Sequence, residues 1–381
     1  MKSPSAVLLA HFAGYLLQFR GSLISELVAR GYQTTVIVPG LTPKLAAALA
    51  ERGAQSQNIS LDRTGLNPFA DAAYRKSLRA KLMEIQPDVV IAYGIKTIVH
   101  GIPVAAKTGC PIRAPLFAGL GGLVRPTGLR QRIMGTLARP MFARSLRAST
   151  HVATQNTDDA KFLSKRFSNL LPGAPIVTEG SGVDLSHFEL APLPARPMVL
   201  MIARLVVEKG IWDFIDAAKL VRSSNPEVRF VIAGFFESRA GAASKEEFLA
   251  RCKQAGVEYA GHVDDIRPLL RECSVFALPT YYGEGRPRSI QEALATGRPI
   301  VTTNNVGCHD SIVEGVHGRI VPLRDAKALA SAVLDVLAWP SPESTATACR
   351  NYAQQRYCAS RIAREFLDAI GAHESRLPDV R

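Results

Sequence analysis

Between Val89 and Thr157 the chain contains no aspartate and no glutamate, while the same span carries Lys96, Lys107, Arg113, Arg125, Arg130, Arg132, Arg139, Arg144 and Arg147. Residues 1–190 hold 22 Lys/Arg against 11 Asp/Glu, whereas residues 191–381 hold 24 against 22. The N-terminal half is therefore expected to carry a positive face. Long apolar runs are also missing: nothing approaches the roughly eighteen residues that a membrane-crossing helix needs. The six cysteines, at 110, 252, 273, 308, 349 and 358, form no CxxC pair. That argues against a disulfide framework or a zinc site and fits a reducing compartment. No GxGxxG follows the first apolar run, which disfavours a plain dehydrogenase. No aromatic-rich RNA-binding motif, zinc finger or helix-turn-helix accompanies the basic charge, so nucleic acid is not the expected partner. Lys2 followed by Ala6–Leu17 superficially resembles a signal peptide. His11 and Gly14 interrupt it and no small-x-small site follows promptly, so a first strand running into a helix explains it better.

What is present is an ordinary globular composition, 47% hydrophobic and 21% charged over 381 residues, enough for two domains. Strands are expected at Ala6–Ala10, Thr34–Val38, Pro87–Ala92 and Ile112–Phe117, separated by helices that include Arg20–Arg30, Pro43–Arg52 and Leu78–Ile85. Three prolines in Leu190–Pro197 mark a linker. The alternation restarts with strands at Met198–Ala203, Val228–Ala233, Val257–Ala260, Ser274–Leu278, Pro299–Thr303 and Gly318–Pro322, and with helices at Ile211–Ser223 and 244–255. Two helices, Ala326–Leu337 and Thr345–Ile370, close the chain. Alternating strands and helices predict α/β architecture: two Rossmann-like, doubly wound parallel sheets with a cleft between them. The expected division is 1–190, 191–355, and a terminal segment 356–381.

In such sheets ligands bind outside the carboxyl ends of the strands. Loop 280–287 follows a strand there and opens a helix with Pro287 near its start and Gly297 just past its end. Glu284 lies in the loop and Glu292 eight residues on. A loop carboxylate can accept hydrogen bonds from sugar hydroxyls, and a helix carboxylate can reach a ribose diol. The ordinary alternative pairs Glu292 with Arg288 at i, i+4 and leaves Glu284 solvated. The turn Gly285, Arg286, Pro287 and Arg288 leads into a helix N-terminus whose backbone N–H groups, from Arg288 and Ser289 on, suit an anion. In Ala203–Gly210, Arg204 and Lys209 stand beside a second helix start and suit a diphosphate, Arg204 as a fork and Lys209 as a point charge. Alternatively they are surface charges partnered by Glu208.

The loop Gly261–Asp265 can receive a flat base through the backbone of His262 and Val263. In the N-terminal half, Gly14 permits close approach to the loop after the first strand. Lys96 either points at the same end of its sheet or is a surface lysine. Residues 125–147 interleave six arginines with apolar positions. Such a segment lies either on an anionic membrane or against the core with a solvated arginine face, and the absence of acids favours the membrane. Pro140 should kink or end the helix there.

Ala203-Arg-Leu-x-x-Glu-Lys-Gly210 and Glu284-Gly-Arg-Pro-Arg-Ser-Ile-Gln-Glu292 resemble the diphosphate loop and the Glu-x7-Glu block of glycosyltransferase family 4, which has the GT-B fold. Gly261-His-Val-Asp-Asp265, Gly307–Ser311 and Gly315–Gly318 match further blocks. Phe19-Arg20, Gly65–Pro68, Tyr93-Gly-Ile-Lys96, Gly119–Gly121, Gln155-Asn156 and Gly180–Leu185 are similar to a subgroup acting on undecaprenyl-diphosphate-linked sugars, of the N-acetylgalactosaminyltransferase type. The resemblance implies retaining transfer from a nucleotide sugar, UDP-linked, without a metal or other cofactor. Arg204 and Lys209 would hold the diphosphate, Glu284 the donor sugar and Glu292 the ribose, with Phe19, Arg20 and Lys96 on the acceptor side. The His100 stretch departs from the subgroup's pattern after Lys96. The terminal helix would cross back onto the N-terminal domain. A lipid-linked sugar acceptor and a cytoplasmic protein held peripherally on the inner face of a bacterial membrane are the expectations that follow. A GT-B epimerase acting on UDP-N-acetylglucosamine and a non-catalytic nucleotide-binding scaffold are the rivals.

Overall fold

The computed structural model describes residues 3–62, 65, 67–121, 129–237 and 243–373, with the side chains of 129–134 and 137 outside that description. The chain divides into two compact units, one of residues 1–181 with 359–381 and one of residues 182–358.

The first unit is a seven-stranded parallel sheet built from β1 (Ser5–Leu9), β2 (Gln33–Val38), β3 (Gln55–Asn58), β4 (Val89–Tyr93), β5 (Ile112–Phe117), β6 (Ala153–Thr154) and β7 (Ile176–Val177). Its spatial order is β3-β2-β1-β4-β5-β6-β7. Every residue of β1 and β4 is buried, as parallel strands covered by helices on both faces require. The second unit is six-stranded: β8 (Met198–Ile202), β9 (Arg229–Ala233), β10 (Val257–Gly261), β11 (Val275–Leu278), β12 (Ile300–Thr303) and β13 (Gly318–Val321), in the order β10-β9-β8-β11-β12-β13. Both are doubly wound Rossmann-like sheets, the fold class expected, and together they make the fold GT-B. Strand order reverses between β1 and β4 in one unit and between β8 and β11 in the other, so each unit has a switch point where a crevice opens at the strand ends.

Several local expectations change. The first helix begins at Leu16, four residues before the expected Arg20, so Phe19 lies inside it. The third helix is Pro68–Ile85, started by Asn67, whose side chain accepts from the N–H groups of Phe69 and Ala70. Of the two alternatives expected at Pro140, a kink or an end, the end does not occur: the helix Leu129–Ala148 runs through it. The strands β3, β6 and β7 were too short or too polar to announce themselves by alternation. The single long helix expected over 345–370 is two, Pro342–Arg356 and Ala359–Ala369. The break falls where Tyr357 O accepts from Val183 N at 2.8 Å and Cys358 bridges Val183. The helix Ala359–Ala369 packs in the first unit, where Arg30 donates to Ala372 O at 2.7 Å and pairs with Asp368 at 2.8 Å. The proline-rich stretch 190–197 lies in the second unit, held by the buried Arg298.

Candidate active site

At the switch point of the second unit, the loops that leave β8 and β11 are locked backbone to backbone. Gly210 has φ +78°, and a Cβ there would overlap Pro279 O. Only a glycine tolerates both conditions. Tyr281 N donates to Glu208 O at 2.8 Å, and the Thr280 hydroxyl donates to the same carbonyl at 3.1 Å. A third loop, after β12, joins them: Asn305 Nδ2 donates to Tyr282 O at 2.6 Å. Gly307, at φ +76°, passes so close that a Cβ would lie 2.7 Å from Glu284 O.

These contacts bring Lys209 and Glu284 together. Lys209 Nζ donates to Glu284 Oε1, with both side chains largely buried. Arg204 Nη1 donates to Glu237 Oε1 at 2.7 Å. The ring of Tyr282 lies near both cations, its centroid 5.4 Å from the Arg204 guanidinium and 5.8 Å from Lys209 Nζ. Two cations, two acids and an aromatic ring thus share one crevice. The helix Arg288–Ala295 starts beside it with Pro287 as its N-cap, a residue whose side chain makes no capping hydrogen bond. A helix N-terminus is a favourable place for an anion.

Of the other expected donor residues, Glu292 is buried and accepts from Arg288 Nε at 2.6 Å, the i, i+4 pair anticipated as the ordinary reading. Burial pushes its carboxyl above the usual range, and Arg288 draws it partly back. Arg286 turns its side chain into the unit: Nη2 donates to Asp310 Oδ2 at 2.9 Å and Nη1 to Asp310 O at 3.1 Å. Its guanidinium is thus engaged within the unit. His262 is exposed, 3.4 Å from Asp264, and sets its ring edge-on to Phe235. With Val263 it follows β10, beside the loop after β9, where Gly234 N donates to Gly261 O at 2.8 Å. Sequence reasoning missed Glu237, Thr280, Tyr282 and Asn305. None stands in a motif of its own; each is defined by which loop end it meets.

In the first unit, the loops after β1 and β4 meet in the same manner. Gly94 has φ +90°, and a Cβ there would overlap the His11 ring. His11 Nδ1 lies 3.3 Å from Tyr93 O. Arg20 is buried over the Tyr93 ring at 4.6 Å and donates to Ser181 Oγ at 2.8 Å. Phe19 is partly exposed beside it. Lys96 does not stand alone: its Nζ donates to Asp71 Oδ1 at 2.8 Å, and His100 Nε2 lies 3.4 Å from Asp71 Oδ2. Desolvation lowers the His100 pKa and Asp71 opposes it. Gly14 lies in an apolar groove of about 510 Å³ with Phe12, Pro39, Leu45 and Leu61. His11, to which the sequence reading gave no role, is the side chain at this switch point. In the basic segment, Phe142, Ser145 and Leu146 face the core while Arg139, Arg144 and Arg147 are exposed. Residues 122–128 lie outside the described residues, and so do the side chains of Arg130 and Arg132. Among the described residues no helix is long and apolar enough to cross a membrane.

Residues 196–338, which carry β8 through β13 and the crevice, match the family of glycosyl transferases group 1. Residues 196–338 are a group 1 glycosyltransferase domain. A relative of this chain in Campylobacter jejuni is N,N'-diacetylbacillosaminyl-diphospho-undecaprenol alpha-1,3-N-acetylgalactosaminyltransferase. It is 27% identical over 85% of the chain and 87% of that relative. The putative colanic acid biosynthesis glycosyltransferase WcaL of Escherichia coli is 26% identical over 60% of the chain and 62% of its own length. Among solved structures, Anabaena HepE in complex with UDP and glucose superposes with a TM-score of 0.75 at 16% identity, covering 97% of this chain and 100% of that one. A glycosyltransferase from Rickettsia africae gives 0.75 at 16%, covering 98% and 99%. These structures share the fold.

Proposed function

We propose that the protein is a retaining glycosyltransferase of bacterial surface-polysaccharide assembly. It moves an N-acetylhexosamine or hexose from a UDP-sugar to a polyprenyl-diphosphate-linked saccharide, without a metal. The observation that carries this reading is the convergence of Arg204, Lys209 and Glu284 with the start of the helix Arg288–Ala295 at one switch point. Arg204 and Lys209 neutralise the diphosphate as negative charge builds on the departing oxygen, and the N–H groups at the start of the helix Arg288–Ala295 add to it. Glu284 accepts hydrogen bonds from the donor sugar, and Glu292 from the ribose diol. The bond from the sugar's anomeric carbon to phosphate breaks as the bond to the acceptor oxygen forms on the same face. The acceptor's proton passes to the leaving phosphate oxygen, giving UDP and the extended glycan.

The Campylobacter relative supports a lipid-linked acceptor, with Phe19, Arg20 and Lys96 on the acceptor side. The exposed Arg139, Arg144 and Arg147, with Met141 exposed among them, support peripheral attachment to the anionic inner face of the membrane. The test is incubation with a panel of UDP-sugars and a polyprenyl-diphosphate disaccharide, with the product's anomeric configuration read by NMR. Transfer to the lipid-linked acceptor with retention is the expected result. Transfer to soluble sugars alone would overturn the acceptor, inversion the mechanism, and acceptor-independent conversion of UDP-N-acetylglucosamine would assign an epimerase.

A further inference from the structure

The crevice of the second unit holds as many acids as cations. Lys209 is matched by Glu284, whose carboxylate the donor sugar can use. Arg204 is matched by Glu237, to which the transfer reaction above gives no task. An acid beside a diphosphate site opposes ligand binding by like-charge repulsion, so its presence there needs a reason.

The position of Glu237 is built into the backbone. Ala203 N donates to Ala233 O at 3.1 Å and Leu205 N to Phe235 O at 2.9 Å, so the loop after β9 is tied along the loop that carries Arg204. Gly234 packs so tightly that a Cβ would overlap Ala203 O. Two residues beyond Phe235, the Glu237 carboxylate meets Arg204 Nη1 at 2.7 Å. The side chains are 35% and 22% exposed, so water and salt reach the pair and it is of moderate strength. A diphosphate can take the guanidinium as a two-point fork, and it displaces a carboxylate held this loosely.

We propose that Glu237 is the resident counter-anion of Arg204, yielding it to the donor's diphosphate and reclaiming it as the nucleoside diphosphate leaves. Glu237 is thereby a positioning residue that sets how tightly the product is held. The inference rests on reading this crevice as the diphosphate site. It separates two demands on Arg204: to stabilise the leaving group during transfer, and to release it afterwards. Glu237 supplies the second by offering a substitute anion at 2.7 Å.

The experiment measures binding of UDP and of inorganic pyrophosphate to wild type, Glu237→Gln and Glu237→Asp, at low and high ionic strength, with Arg204→Met as the control. The glutamine variant is expected to bind both anions about twofold to fivefold more tightly at low salt, the scale of one exposed ion pair. The advantage should shrink as salt screens the charges. In steady state its KM for donor falls, UDP inhibits it more strongly, and kcat does not rise. The aspartate variant should move back toward wild type. A gain in affinity cannot come from a damaged fold. Unchanged or weaker binding by Glu237→Gln would overturn the proposal and make Glu237 a support that orients Arg204. Failure of wild type to bind either anion would overturn the diphosphate site itself, and this proposal with it.

Discussion

Lys209 and Glu284 form an ion pair across 75 positions of sequence, with side chains only 11% and 13% exposed. The pair exists because Gly210 lets the β8 loop sit against Pro279. A pair this enclosed is harder to break than a surface one, since the survivor is left as a largely buried charge without its counter-charge. Lys209→Met and Glu284→Gln should each lower kcat/KM by about a hundredfold to a thousandfold, the scale of losing one charge-stabilising group. The double variant should lose much less than the product of the two, because the first substitution already strands the partner. Steady-state kinetics on the four proteins of the cycle measure the coupling. Simple multiplicativity would mean that the two side chains act on the donor independently.

Gly307→Ala should act on the same pair from a distance. Its Cβ would overlap Gly285 O and approach Glu284 O at 2.7 Å, besides facing the strain of φ +76°. Loop 284–287 must shift, and a displacement of about 1 Å at a positioned group costs on the order of a hundredfold in rate. Gly109→Ala is the control: φ is +81° there, but a Cβ meets nothing within 4 Å. It should cost about 1 kcal/mol of stability from the left-handed backbone and leave kcat/KM intact. Comparable kinetic losses in both variants would show that strain alone, and not the contact with Glu284, matters.

The Arg288–Glu292 pair predicts a pH dependence. Burial raises the Glu292 carboxyl above its usual 4.5, and Arg288 pulls it down. A carboxyl whose native pKa lies above its unfolded value takes up protons on folding, so its contribution favours folding below the unfolded value. That contribution is lost as pH rises through the raised native value. Arg288→Met removes the counter-charge and raises the carboxyl further. The variant should therefore lose more stability at pH 7, about 3 kcal/mol, than at pH 4.5, where more of the acid is neutral and needs its partner less. Urea unfolding at the two pH values decides this; equal losses would mean that Glu292 is not the group responsible.

The contrast between Glu292 and Arg286 shows what a linear sequence exposes. Glu292 and Arg288 are one helical turn apart, so their pairing could be read from spacing alone. Arg286 belongs to the same motif, but its partner Asp310 lies 24 residues on, beyond β12, and nothing local marks the two as neighbours. Most strand positions were legible because buried parallel strands are short continuous apolar runs. Arg204, Lys209 and Glu284 could be placed at one end of one sheet for the same reason, since each closely follows such a run. Glu237 could not: it follows β9 by four residues, and its meaning comes from the loop beside it. The two-residue strands β6 and β7 were invisible because two residues have no period.

Arg298 carries the last prediction, and it concerns the fold that holds the crevice. Its side chain is fully buried and is satisfied by carbonyls: Cys273 O at 2.9 Å, Thr296 O at 3.1 Å, Pro192 O at 3.0 Å, and Ala191 O. Burial lowers its pKa. One guanidinium thus fastens the proline-rich stretch to the segments that lead into β11 and β12, which no apolar side chain could do, because the carbonyls need donors. Arg298→Met should destabilise the second unit by about 3–5 kcal/mol, the cost of leaving a buried polar cluster without its centre. Arg298→Lys should recover part of this, since an ammonium offers three donors but not the planar reach of the fork. Arg298 lies outside the crevice, so either variant should keep the wild-type KM for donor at temperatures where it is folded. A melting temperature that stays put in Arg298→Met would show that the stretch 190–197 is held by its apolar contacts instead. A changed KM in the folded variant would show that the crevice depends on how that stretch is fastened.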